Sequence, residues 1–134
     1  AIRGQMVILL KNAQGSRVVQ ALLKELDTAE AVILVQELRE HVAEVGMTTA
    51  GSWGVVVAFK RSHAEFFVPE VAASATELST CQHGARVIQR VMEEAHAASI
   101  DLSPVAEALL QTDLAQLAVD PFGNYTIQMA LRFC

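Results

Sequence analysis

Apolar residues recur three to four positions apart in four stretches of the chain: KNAQGSRVVQALLKEL, TTAGSWGVVVAFKRS, CQHGARVIQRVMEEA and DPFGNYTIQMALRFC. Each stretch has a glycine near its start. These are Gly15, Gly51, Gly84 and Gly123, at intervals of 36, 33 and 39 residues. Periods of that size are the signature of helical solenoids. Counted from the glycine, position −6 holds Leu9, Val45, Leu78 and Leu117, and position +4 holds Val19, Val55, Ile88 and Ile127. Position +7 holds Leu22, Ala58, Val91 and Ala130, and position +8 holds Leu23, Phe59, Met92 and Leu131. Residues at such intervals form one stripe along an amphipathic helix. In the second unit Gly54 competes with Gly51 as the anchor. Choosing Gly54 shifts every assignment there by three and puts Thr48 into the apolar −6 column, so Gly51 is preferred.

The pattern predicts that each glycine starts its helix and that a second helix follows. In the first unit Asp27 or Thr28 is a plausible cap, with Glu30 in the first turn. In the third, Ser103 caps and Pro104 takes the first helical position. Short helices such as Val42 to Val45 and Leu114 to Leu117 lead into the next glycine. The expected architecture is an all-α stack, one domain over residues 1–134, with units at approximately 3–38, 39–71, 72–109 and a partial 110–134. Each unit leans on its neighbours to bury its apolar face. Asn124 to Cys134 read as a helix with no stop signal, which suggests a section of something longer.

Composition narrows the classes. With 52% hydrophobic and 19% charged residues over 134 positions, the chain is unlike a disordered segment and too short for a two-lobed enzyme. Two cysteines, Cys81 and Cys134, do not make a disulfide framework, and the N-terminal region has no leader pattern, so a reducing, intracellular setting is expected. No apolar run approaches the roughly 20 residues that span a bilayer, and no membrane association is expected.

The net charge of −5 taken whole argues against nucleic acid, but its distribution changes that picture. Each glycine with its ten following residues holds, over the four units, Arg17, Lys24, Lys60, Arg61, Arg86, Arg90 and Arg132 against Glu25, Glu93 and Glu94, a local charge of +4; the remainder of the chain carries −9. A phosphate backbone favours the first surface.

Positions +1 and +5 lie one above the other on a helix face. They read Ser16 and Gln20, Ser52 and Val56, Ala85 and Gln89, and Asn124 and Gln128. Position +2 reads Arg17, Trp53, Arg86 and Tyr125. A carboxamide offers donors and an acceptor in one plane, which suits the edge of a base, and planar or aromatic groups stack on base faces. Other chemistry is absent from the motifs. Cys81, His83, His41, His63 and His96 make no metal-ligand spacing, with His83 more simply structural, and no nucleophile, phosphate-loop or dinucleotide signature occurs. Glu93 and Glu94 read as solvated surface, and the methionines as core. No catalytic activity, metal or cofactor is expected.

With stretches such as GARVIQRVMEEA and DPFGNYTIQ, the chain resembles the Pumilio (PUF) repeat family over nearly its whole length. The resemblance implies a right-handed, armadillo-like α-solenoid of about four three-helix repeats that reads single-stranded RNA one base per repeat. Base edges would be met by Ser16, Gln20, Ser52, Val56, Ala85, Gln89, Asn124 and Gln128, and base faces by Arg17, Trp53, Arg86 and Tyr125. By the family's code Ser16 with Gln20 takes adenine, and Asn124 with Gln128 takes uracil. Ala85 lacks the usual hydroxyl or thiol and indicates adenine only weakly. Val56 cannot hydrogen-bond, so the second unit accepts any base. The antiparallel reading is 5′-UANA-3′, found within the family's UGUANAUA element where repeats six to three would lie. Such a protein is expected to act as a monomer in the cytoplasm on mRNA 3′ untranslated regions, controlling translation or decay with protein partners on its convex face. Two alternatives stand beside this reading: a nucleolar, PUF-like ribosome-biogenesis factor binding structured RNA, and a protein-binding α-solenoid.

Overall fold

A computed structural model of the chain describes residues 2–134, and these contain helices and no strands. Each unit begins with a short helix: α1 (Met6–Leu10), α4 (Val42–Gly46), α7 (Ala75–Ser79) and α10 (Leu114–Val119). The glycine-anchored helix follows: α2 (Ala13–Glu25), α5 (Gly51–Ser62), α8 (Gln82–Ala97) and α11 (Gly123–Phe133). An outer helix closes the first three units: α3 (Thr28–Val35), α6 (Phe67–Ala73) and α9 (Ser103–Leu110). The anchored helices stack in chain order, α2 on α5, α5 on α8 and α8 on α11, and α6 packs on α9 in the outer layer. This helical solenoid is the fold expected from the repeat.

The apolar columns form the core. Val19, Val55 and Ile88, then Leu23, Phe59 and Met92, are fully or almost fully buried. Burying side chains of this size contributes roughly 1.5–3 kcal/mol each. Leu131 departs from its column: it is 83% exposed.

The anchoring glycines share one reason for being glycine. A Cβ at Gly15, Gly51, Gly84 or Gly123 would lie 2.5, 2.4, 2.7 or 2.8 Å from the carbonyl oxygen six residues earlier, on Leu9, Val45, Leu78 or Leu117. The short helix thus touches the anchored helix backbone to backbone. Gly54 answers a different need, since a Cβ there would meet Leu10 Cδ2 at 2.4 Å. Gly51 therefore occupies the repeat's anchor position.

Several local expectations shift. Helices α2 and α8 begin two residues before their glycines, and Asn12 caps α2 by accepting from the Gly15 amide at 2.8 Å. Asp27, not Thr28, caps α3 through the Glu30 amide. In α9 the capping acceptor is Asp101, which takes both the amide and the hydroxyl of Ser103; Ser103 and Pro104 are the first two helical residues. The second boundary also moves, because α6 runs through residues 71 and 72 and the break comes at Ser74.

Glutamates of the outer layer hold the short helices. Glu37 accepts from the amides of Gly4 and Met6 at the start of α1, and Glu70 from those of Glu40 and Val42 at the start of α4. A carboxylate there satisfies open helix donors and complements the helix dipole.

Candidate nucleic-acid interface

Stacking of α2, α5, α8 and α11 brings the +1, +2 and +5 residues of successive units into neighbouring rows, and the rows are built differently. In unit one Ser16 is 2% exposed; its hydroxyl donates to the Ala50 carbonyl at 2.7 Å and accepts from Gln20 Nε2 at 3.0 Å. The first bond ties unit one to unit two, and the second orients the carboxamide so that Oε1 and one N–H remain to meet a ligand. Arg17 is exposed beside them.

Unit four repeats this arrangement with different atoms. Asn124 donates from Nδ2 to the carbonyls of Asp120 and Pro121, which turns its Oδ1 toward Gln128, whose Nε2 donates to it at 3.1 Å. Gln128 is exposed, and Tyr125 is 57% exposed at the +2 position. The two units thus present a +5 carboxamide steadied by its +1 neighbour, next to a side chain able to stack.

Unit three has half of this device. Ala85 is buried and has no polar side-chain atom, leaving Gln89, half-buried, to supply any edge contact by itself. Unit two has neither half: Val56 is buried, and Ser52 is fully buried with its hydroxyl accepting from Arg86 Nη1 at 3.1 Å. The same guanidinium lies 4.4 Å from the centre of the Trp53 ring. Two residues expected to stack on RNA bases, Trp53 and Arg86, therefore stack on each other. Trp53 still leaves 46% of its surface open.

The basic residues divide in a way their sequence positions do not reveal. Arg17, Lys24 and Lys60 are exposed. Arg61 is engaged elsewhere: it donates to the carbonyls of Leu23 at 2.9 Å and Leu26 at 2.6 Å and to the Thr28 hydroxyl, joining the end of α5 to the end of α2. Arg90 pairs with Glu93, and His63, the left-handed cap of α5, pairs with Glu94, so this glutamate dyad is bound up in contacts rather than simply solvated. With Arg61 committed to the end of α2, the positive charge left where RNA would lie is smaller than +4. His83 reaches Thr49 across the unit boundary at 3.2 Å. Among the described residues no group of three His, Cys, Asp or Glu side chains is placed to hold a metal ion, and no helix is long and apolar enough to cross a membrane.

Known proteins match this chain in sequence and in shape. The family described as Pumilio-family RNA binding repeat matches residues 5–39, 74–101 and 113–134. The intervening 40–73 contain the row with Ser52 and Val56. Among curated proteins, pumilio homolog 10 of Arabidopsis thaliana is 30% identical over 132 residues, and pumilio homolog 8, chloroplastic, of the same plant is 26% identical over 133. The chain covers 92% and 96% of itself in these alignments but only about a quarter of each relative's length, 24% and 25%. Among solved structures, the Puf3 RNA binding domain bound to a Cox17 RNA 3′ UTR recognition sequence matches with a TM-score of 0.81 at 25% identity, covering 98% of this chain and 38% of that one. The RNA-binding domain of yeast Puf5p bound to MFA2 RNA matches with a TM-score of 0.87, covering 99% and 38%; at 15% identity this likeness concerns the fold.

Proposed function

The chain belongs to the Pumilio family of RNA binding repeats, which are binding units and not enzymes, and on that premise we propose that it docks single-stranded RNA on its anchored helices in the order 5′-UANA-3′. The observation that carries this reading is the shared construction of units one and four, where Gln20 and Gln128 are each steadied by the +1 side chain and keep an acceptor and a donor for a base edge. A bidentate carboxamide matches adenine's amino group and ring nitrogen, or a uracil imide. Ser16 and Gln20 take adenine, with Arg17 against its face; Asn124 and Gln128 take uracil, with Tyr125 against its face. Lys24 and Lys60 supply phosphate contacts.

The wider role, a monomer acting in the cytoplasm on mRNA 3′ untranslated regions and recruiting proteins that govern translation or decay, is part of the same proposal. The match to the Puf3 RNA binding domain bound to a 3′ UTR recognition sequence supports the 3′ UTR part of it. The test is electrophoretic or fluorescence binding of the chain to an oligonucleotide containing UANA and to versions with the uracil or final adenine replaced. Each replacement should weaken binding by about 5- to 150-fold, since a good bidentate pair discriminates by about 1–3 kcal/mol. Combined substitution of Gln20, Gln89 and Gln128 by Ala should remove the selectivity while leaving helix content unchanged. Equal affinities for all oligonucleotides, or selectivity surviving the triple substitution, would refute the reading.

A further inference from the structure

The Trp53 and Arg86 pair has a consequence for which nucleotides are read. A base held between two stacking side chains needs those faces about 7 Å apart, twice the roughly 3.4 Å spacing of stacked bases. The Arg86 guanidinium carbon is 4.4 Å from the Trp53 ring centre, so the gap between these +2 residues is filled by the contact itself. The guanidinium is also held from below by the Ser52 hydroxyl, which is fully buried and has its acceptor engaged by Arg86 Nη1. The remaining edge residue of that row, Val56, is 3% exposed and apolar. Between the two +2 residues neither a gap nor a polar edge is left for a base.

We propose that Arg86 acts as a built-in plug that closes the second row, so that the nucleotide opposite Ser52 and Val56 is left outside the ladder and the RNA is read as two separated segments. The proposal rests on the RNA-docking reading above and deepens it. The second row then accepts any nucleotide because it never receives the base, which differs from accepting any base by stacking it on Trp53. The plug and its receptor lie in different repeats, with Arg86 in the third reaching Ser52 and Trp53 in the second. Filling the slot also stiffens the junction between α5 and α8. A spacer that is not stacked tolerates changes in length, so an RNA with two nucleotides in place of the N of UANA should bind nearly as well.

The test uses the chain with RNA carrying 2-aminopurine or an abasic residue at N. In the native chain 2-aminopurine at N should stay bright on binding, while 2-aminopurine at the flanking final adenine is quenched by stacking. An abasic N or one extra nucleotide should change affinity by less than about threefold. Arg86→Ala should open the slot, so that 2-aminopurine at N becomes quenched against Trp53 and the base at N is preferred over the abasic residue by 5-fold or more. Quenching at N in the native chain, or a tenfold loss with the abasic residue, overturns the plug while leaving RNA binding intact. Failure to bind any of these RNAs overturns the docking reading, and the plug with it.

Discussion

Arg61 provides a quantitative test of how the repeats are joined. Its guanidinium donates to the carbonyls of Leu23 and Leu26, two of the acceptors left open at the end of α2, and to the Thr28 hydroxyl at the start of α3. Arg61→Met keeps most of the aliphatic stem and removes all three bonds. A charge-assisted hydrogen bond is worth about 1.5–3 kcal/mol when its loss strands a buried partner, but water can reach these part-buried carbonyls, so the lower end applies. Loss of a cation at a helix C-terminus adds about 0.3–1 kcal/mol. The expected destabilisation is about 2–3 kcal/mol, or about 8–12 °C in Tm for a chain of this size. Urea unfolding followed by far-UV circular dichroism and by fluorescence of Trp53, the sole tryptophan, measures it directly. A change below about 0.5 kcal/mol with an unaltered m value would refute the structural role. In RNA binding, Arg61→Met should leave the salt dependence of affinity unchanged, because its charge is committed to carbonyls, whereas Lys60→Ala should lower the slope by about one.

Further outcomes follow from the same contacts. Gly51→Ala drives a Cβ against the Val45 carbonyl and should cost about 1–3 kcal/mol despite alanine's better helix propensity. Gly54→Ala meets side-chain atoms, Leu10 Cδ2 and Ser16 Oγ, rather than backbone and should cost less, and denaturation giving the reverse order would contradict the anchor assignment. Asn12→Ala removes the α2 cap and should cost about 1 kcal/mol in the same assay. Hydrogen bonds from Lys11 and His41 hold the Glu44 carboxyl below its ordinary range. A depressed folded-state pKa stabilises at neutral pH and is lost as pH falls through the folded value. The native Tm should therefore drop more steeply on acidification than that of Glu44→Gln, and superimposable curves would show the pair to be inert.

Much of the architecture was legible because it is periodic. Four glycines at a solenoid spacing, with apolar columns at −6, +4, +7 and +8, report a helix whose backbone must touch its predecessor, and that contact recurs at Leu9, Val45, Leu78 and Leu117. Local capping was harder to read. Ser103 looked like a cap by type, but Asp101 reaches both its amide and its hydroxyl, because Leu102 turns the chain between them. Likewise Gly54 looked like a rival anchor until its neighbour proved to be Leu10, 44 positions away in sequence.

The recognition surface divides along the same line. The sequence by itself determined which residue types share a side of each unit at +1, +2 and +5, since helical periodicity places them together. It could not decide which of them remain available, because that depends on contacts between helices about 34 residues apart. Arg17 and Arg86 share a column and a chemistry, yet one is exposed while the other lies over Trp53 and is bonded to Ser52. Arg61 carries a charge that counts toward a basic surface in the sequence and caps a neighbouring helix in the folded chain. Local periodicity determines direction, whereas packing of one repeat on the next determines whether the side chain that points outward meets solvent or another repeat.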